Sequence, residues 1–366
     1  MESMIQIFLS ERGIAPSTRT GYIASVQLYE KLNDSTLDAL ILEAEREEEE
    51  GIRWKHRTLK KRLINFRNHL MTTLKESSAK IYFNKIKSIY NHFEIEIGKL
   101  PYFKSNNVNK SHVVTYEELP TREEILQGYY SANNTLKTII LLASSSGMSR
   151  IDMLNLTVSD FLTACRDYVD STGTVLDQLR ELHGRDDLIP TFRMSRQKTT
   201  KPYITFCSPE CATHIVHLIF QNQSFNESDN VFKCKGSTLN LWFKDLNNTL
   251  GLGKVGEYVK LRCHMLRKYH ASTLINAKNG FTVEEVDTLQ GRSKDMTHRS
   301  YFMEREASLK QKYIACLDEL AILHRNQADV IELKNENENY KKELAKQAEL
   351  LEQLQQNQLK LQELLK

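Results

Sequence analysis

Residues 99–117 (KLPYFKSNNVNKSHVVTYE) are polar, show no hydrophobic period and carry Pro101, Ser105, Asn106, Asn107 and Asn109. A stretch of that composition connects structured parts rather than belonging to one. A chain of 366 residues cut there must build more than one core, and it is long enough for two or three. The expected division is a helical unit over residues 1–105, a linker over 106–116, a second unit over 117–326 and a terminal segment over 327–366.

The first unit reads as helical because apolar residues recur at helical spacing in 22–32, 59–74 and 81–97. Pro16-Ser17 opens the first of these helices with Ser17 as cap, and Tyr22, Ile23, Val26 and Tyr29 would form its buried stripe. The second unit reads as mixed. Thr121-Arg122-Glu123-Glu124 has the form of a capped helix start. Residues 135–144 suit a buried helix, and residues 151–158 begin another. Residues 188–206 alternate polar and apolar side chains, which predicts a hairpin with strands near 189–193 and 203–206 and a turn near 199–201. Ser208-Pro209-Glu210 then starts a helix, since proline suits the first helical position. Helices dominate from 239 to 323. The expected fold class is mostly α with a small β-sheet, the sheet lying in an α+β second unit.

The last 40 residues change character. Heptad positions run Val330, Leu333, Asn337, Tyr340, Leu344, Gln347, Leu351, Leu354, Gln358, Leu361 and Leu365, set among Glu, Lys, Gln and Asn. That pattern is a coiled-coil signature, with a long solvated helix as its alternative.

The net charge is only +3, but charge is sorted into patches. Residues 43–50 (EAEREEEE) are acidic and residues 53–62 (RWKHRTLKKR) are basic, with a second basic cluster at Arg193, Arg196, Lys198 and Lys201. No run of about 18 apolar residues suggests a membrane span. The first residues, MESMIQIFLSERG, lack a basic leader, so no signal peptide is expected. Six scattered cysteines without paired ligand spacing suit free thiols in a reducing cytoplasm.

Three short patches carry candidate chemistry: SSGMSRIDMLNL at 145–156, HMLRK at 264–268, and LQGRS at 289–293 followed by THRSY at 297–301. In this order they resemble the signature of the tyrosine recombinase (phage integrase) family, over about residues 117–310. The H-x-x-R box and the nine-residue step from Arg292 to Tyr301 are its most specific parts. The resemblance implies Tyr301 as nucleophile, Arg150 and Arg267 as phosphate-binding arginines, His264 as proton-transfer or orienting partner, Lys198 as general acid and Arg292 in a position that usually holds histidine. There are departures. Arg150 comes one residue late while Asp152 stays in register, Arg292 replaces a neutral donor, and His270 stands where an aromatic is usual.

The residue types fit the chemistry. Cutting and resealing a phosphodiester without metal, ATP or another cofactor needs a nucleophile that conserves the bond energy, as a phosphotyrosine does. Charge building on the non-bridging oxygens needs fixed donors, which a planar guanidinium supplies. The leaving 5′-oxygen needs a proton. The resemblance further implies a helical DNA-binding domain and a catalytic domain closing on double-stranded DNA. It implies a homotetramer acting on two sites, and a prokaryotic cytoplasm or its virus as the setting. Backbone contacts are expected from Arg53, Lys55, Arg57, Lys60, Lys61 and Arg62, and from Arg193, Arg196 and Lys201. A type IB topoisomerase-like activity and a degenerate DNA-binding scaffold remain open as alternatives.

Overall fold

Acidic residues 43–50 lie on a helix whose other face is apolar, and that amphipathic helix explains how the first unit uses its charge. In the computed structural model, which describes residues 3–101, 112–170, 172–197, 201–292 and 306–323, the chain splits into two units, Met1–Val113 and Val114–Lys366. The fold is mostly α with two small antiparallel sheets.

The first unit contains α1 (Met4–Glu11), α2 (Pro16–Asn33), α3 (Leu37–Glu49), α4 (Thr58–Thr73) and α5 (Glu76–His92). Leu37, Leu40, Ile41 and Ala44 turn the apolar side of α3 into the core, leaving its glutamates to face the basic run that follows. Glu48 pairs with Arg57 at 3.1 Å and Glu43 with Arg62 at 2.8 Å. Glu47 accepts the Thr58 backbone N–H at 2.8 Å and so caps α4, whose own cap residue Arg57 makes no side-chain capping bond. The core centres on Tyr29, Phe66 and Tyr90. The Tyr29 and Tyr90 hydroxyls meet at 3.1 Å, and the Phe66 ring lies edge-on to Tyr29 at 4.9 Å. Burial pushes the Tyr29 phenol up to about 12.

Local details depart from expectation. Helix α2 begins at Pro16, with Ala15 as its cap. Ile23 faces solvent, and Ser25 turns inward to bond the Gly21 carbonyl at 2.8 Å. Helix α5 ends at His92, not near 97, because Glu94 takes a left-handed φ of 59° and the chain leaves the helix there.

The second unit begins its helices with α6 (Arg122–Tyr130), whose Thr121–Glu124 capping box is present. Then follow α7 (Asn134–Ser146), α8 (Arg150–Leu154), α9 (Val158–Ala164), α10 (Val175–Leu182), strands β1 (Thr191–Ser195) and β2 (Pro202–Phe206), and α11 (Pro209–Gln221). The sequence expectation of one helix near 151–158 becomes two, because Thr157 caps α9 with its own capping box. The hairpin forms two residues later than expected on its first strand, pairing Thr191 with Phe206 and Ser195 with Pro202. The remaining elements are α12 (Gly236–Thr249), the two-residue strands β3 (Lys254–Val255) and β4 (Tyr258–Val259), α13 (Cys263–Asn276), α14 (Val283–Leu289), α15 (Glu306–Ala315) and α16 (Leu317–Leu320). Residues 102–111, Lys198 and the terminal heptads lie outside the described residues, as does Tyr301.

Helix α7 is buried from Leu136 to Ser146 on nearly every face, and α6, α11 and α13 pack around it. Its last turn carries Ser144, Ser145 and Ser146, each donating to a carbonyl four residues back. A helix enclosed in this way is the rigid post of the unit. The Thr205 hydroxyl of β2 donates to Ser146 O at 2.6 Å, and the Tyr313 hydroxyl of α15 donates to Ser145 O at 2.8 Å. The segment after α16 is tied down as well, since Glu210 accepts both the Ile322 and Leu323 backbone N–H groups. No described helix is long and apolar enough to cross a membrane.

Truncating the centre of the first core should be costly. Phe66→Ala is expected to destabilise by about 3–5 kcal/mol, whereas Ile81→Ala, at an exposed site on α5, should change stability by about 0.5 kcal/mol or less. Urea unfolding of both variants checks the contrast.

Candidate active site

Helix α7 stops at Gly147, which takes φ 61°. A side chain there would be strained, and its Cβ would lie 2.5 Å from His270 Nδ1 and 2.7 Å from Gln290 Nε2. Glycine therefore lets the end of α7 approach α13 and the turn after α14. Into that junction α13 delivers Arg267. One guanidinium nitrogen donates to Gly147 O and the other to Gln290 O. Gln290 returns a bond from its side-chain Nε2 to Arg267 O at 2.9 Å, and the same nitrogen lies 3.0 Å from His270 Nδ1. Gln290 and His270 are wholly buried. His270 sits one turn beyond Arg267 on α13 and braces the glutamine that holds it.

A second arginine is anchored beside the first. Arg196, just past β1, donates from Nη1 to Gly291 O at 2.9 Å. Gly291 also has a left-handed φ, of 60°, and its missing Cβ makes room for the Tyr203 ring and the Arg196 Cδ. Arg292 follows directly and bonds Asp287 Oδ1 at 3.4 Å with its side chain half-exposed. His264 stands on the exposed side of α13, three residues before Arg267 and thus on the same face.

These cations act on one another. Burial first, then Arg196 and Arg292, pull the Arg267 guanidinium down to about 10, with Tyr203 and Asp152 opposing. Partial desolvation and the charges of Lys268, Arg262, Arg267 and Arg292 lower His264, so its imidazole is neutral at pH 7 and can both donate and accept. One buried carboxylate faces the group. Asp152 accepts from Ser149 Oγ at 2.8 Å, from the Gln197 backbone N–H at 3.1 Å and from the Tyr203 hydroxyl at 3.3 Å. It thereby holds the end of β1, and with it Arg196, against α8. Burial and that neighbouring carboxylate raise the Tyr203 phenol far above its ordinary value, so Tyr203 stays protonated.

The other expected site residues lie elsewhere. Arg150 turns toward α12, donating to Asn240 Oδ1 at 2.7 Å. It lines a cleft of about 520 Å³ with Asn155, Asn230, Lys235 and Gly236. Ser149 occupies the in-register position and caps α8. Arg193 is bound by both carboxylate oxygens of Glu306. In the first unit Arg57 is buried and bonds Ile52 O and Glu48, and Arg62 is held by Glu43 and Asn33, so neither presents a free cation to a ligand. Arg53, Lys55 and Lys61 face solvent, while Lys60 and Lys201 are half-buried.

Neither any family model nor any curated protein matches the chain. Solved structures do resemble it. The crystal structure of XerA recombinase is 15% identical, with a TM-score of 0.35, over 85% of this chain and 95% of that one. A lambda integrase dimer bound to a COC' core site is 16% identical, with a TM-score of 0.49, over 82% and 78%. The Tn1549 transposon integrase in complex with transposon right end DNA is 12% identical, with a TM-score of 0.46, over 86% and 98%.

The buried imidazole of His270 gives a pH test. Burial, aided by Arg267 and Arg292, pulls it down from 6.5 to about 3, against a smaller upward push from Ser145 O. A histidine depressed in the folded state contributes stability that is present above its unfolded value of about 6.5 and is lost as pH falls toward its folded value. Between pH 7 and pH 5 the native chain should lose about 2 kcal/mol through this group. His270→Gln should therefore show a shallower loss by that amount in urea unfolding at the two pH values. Equal losses in both proteins would refute the assignment.

Proposed function

We propose that the chain is a site-specific DNA recombinase of the tyrosine type. The observation that carries the reading is that two sequence boxes, His264 with Arg267 and the turn bearing Arg292, meet at Arg267, an arginine clamped on two backbone carbonyls. A fixed guanidinium beside a neutral imidazole is what a developing phosphorane charge requires, because such donors need no reorganisation during the reaction. The nine-residue step from Arg292 to Tyr301 adds the nucleophile.

In this reading Tyr301 Oη gives its proton to the neutral imidazole of His264 and attacks the scissile phosphorus. The phosphorus–O5′ bond breaks, and the leaving oxygen takes a proton from Lys198. The product is a 3′-phosphotyrosyl link and a free 5′-hydroxyl. The 5′-hydroxyl of a partner strand reverses the step and seals a recombinant joint. Double-stranded DNA is the substrate, and four copies act on two duplexes, with the heptads over 327–366 helping protomers pair. Arg53, Lys55 and Lys61 supply backbone contacts whose affinity falls steeply with salt. A second reading, a DNA-binding scaffold without catalysis, draws on the diversion of Arg150 to Asn240.

The test uses nicked duplexes with randomised sequence around the nick, which trap a cleaved intermediate. The expected result is a detergent-resistant protein–DNA adduct that Tyr301→Phe abolishes and that Arg267→Ala slows by about 10²–10³-fold. No adduct from the wild-type chain on any duplex would leave the scaffold reading in possession. Adducts without sequence preference would point instead to a topoisomerase.

A further inference from the structure

Several arginines among the described residues are matched to a carboxylate. Arg57 has Glu48, Arg62 has Glu43 and Arg193 has Glu306. Arg196 and Arg267 form no ion pair with an acid among the described residues, and unlike Arg262, which bonds a carbonyl on its own turn, both are held by the same distant turn. Their fixed partners are the carbonyls of Gly147, Gln290 and Gly291. The anchor carbonyls Gln290 O and Gly291 O belong to consecutive residues of one turn, and the two guanidiniums lie close enough for the charge of Arg196 to act on Arg267. The Arg196 Nε is buried and has no hydrogen-bond partner. Asp152 is near, but its oxygens already accept from Ser149, Gln197 and Tyr203. Arg292 and Lys268 add further positive charge to the surroundings. Two like charges drawn together out of water without a counter-ion are unfavourable unless an anion completes them.

We propose that Arg196 and Arg267 together form the seat for one phosphodiester group, with Arg196 supplying the second guanidinium where the resemblance would place Arg150. The identity of the anion rests on the recombinase reading; the seat itself rests on the geometry. Gly291 O holds Nη1 of Arg196 and so fixes the fork from which the guanidinium meets the phosphate. Arg150, bonded to Asn240 on α12, is left to the neighbouring cleft.

Two measurements on the full chain test this. The first is calorimetric titration with inorganic phosphate. The wild type should bind, and Arg196→Ala and Arg267→Ala should each weaken binding at least tenfold. Arg196→Lys, which keeps the charge but not the fork, should fall between. Arg180→Ala, on the exposed face of α10, should match the wild type and controls for net charge. Unchanged phosphate affinity in Arg196→Ala overturns the proposal. If Arg196→Ala unfolds, Arg196→Lys and Arg196→Gln carry the comparison. The second measurement is the rate of adduct formation on nicked duplexes, where Arg196→Ala should lose about 10²–10³-fold. An adduct formed at the wild-type rate by Arg196→Ala overturns the inference and leaves the recombinase reading standing. Phosphate binding that depends on Arg196 in a wild-type chain that forms no adduct does the reverse.

Discussion

The guanidinium of Arg267 bridges the last carbonyl of α7 to the turn after α14, and the geometry of the second unit is organised around that bridge. A buried arginine is expensive unless its N–H groups are satisfied. Here backbone carbonyls satisfy them, which meets the hydrogen-bonding need without neutralising the charge. Everything adjacent serves that end. Gly147 and Gly291 permit the close approach, Gln290 locks the carbonyl side of α13, and His270 stays neutral so that it can brace Gln290 without adding a further cation. A carboxylate in place of either carbonyl would quench the field that makes the arginine useful.

Charge elsewhere is handled in the opposite way. The acidic helix α3 neutralises much of the basic run that follows it, so a patch that reads as a DNA-facing surface is partly an internal clasp. Glu47 shows how tightly the two are joined: although partial burial opposes it, hydrogen bonds from Thr58 and Leu59 hold its carboxyl below the usual range. The residues left over, Arg53, Lys55 and Lys61, face solvent. Within this basic run the structural cations Arg57 and Arg62 are paired, and the exposed ones are set apart from them.

That separation marks the limit of what could be read from sequence. Local signals were legible because they are local: the Thr121 capping box, the proline start of α11, the alternation that makes β1 and β2, and the i,i+3 spacing that puts His264 and Arg267 on one face. The pairing of Arg57 and Arg62 was not legible, since it depends on the angle at which α3 meets α4. The place of Arg196 was also hidden. In sequence it is one of several basic residues near a turn, and only the fold brings Gly291, some 95 residues away, beneath its guanidinium. The one-residue displacement of Arg150 was visible, but its consequence required knowing that Ser149 would take the cap of α8 and send the next side chain toward α12.

Arg292 and Glu306, the described residues on either side of 293–305, are both held by bonds within the second unit. On one side the Arg292 backbone N–H bonds Asp287 O at 2.9 Å, extending the turn that carries Gln290 and Gly291. On the other, Glu306 grips Arg193 on β1, and a turn or two later Tyr313 fixes α15 to Ser145 at the end of α7. The two flanks are thus tied to the same post and hairpin that position Arg267 and Arg196. A phosphate seat of the kind proposed is built from donors whose bonds do not involve residues 293–305, so they are fixed before a ligand arrives. The buried bonds of α7, α13 and the Gln290 turn supply that independence.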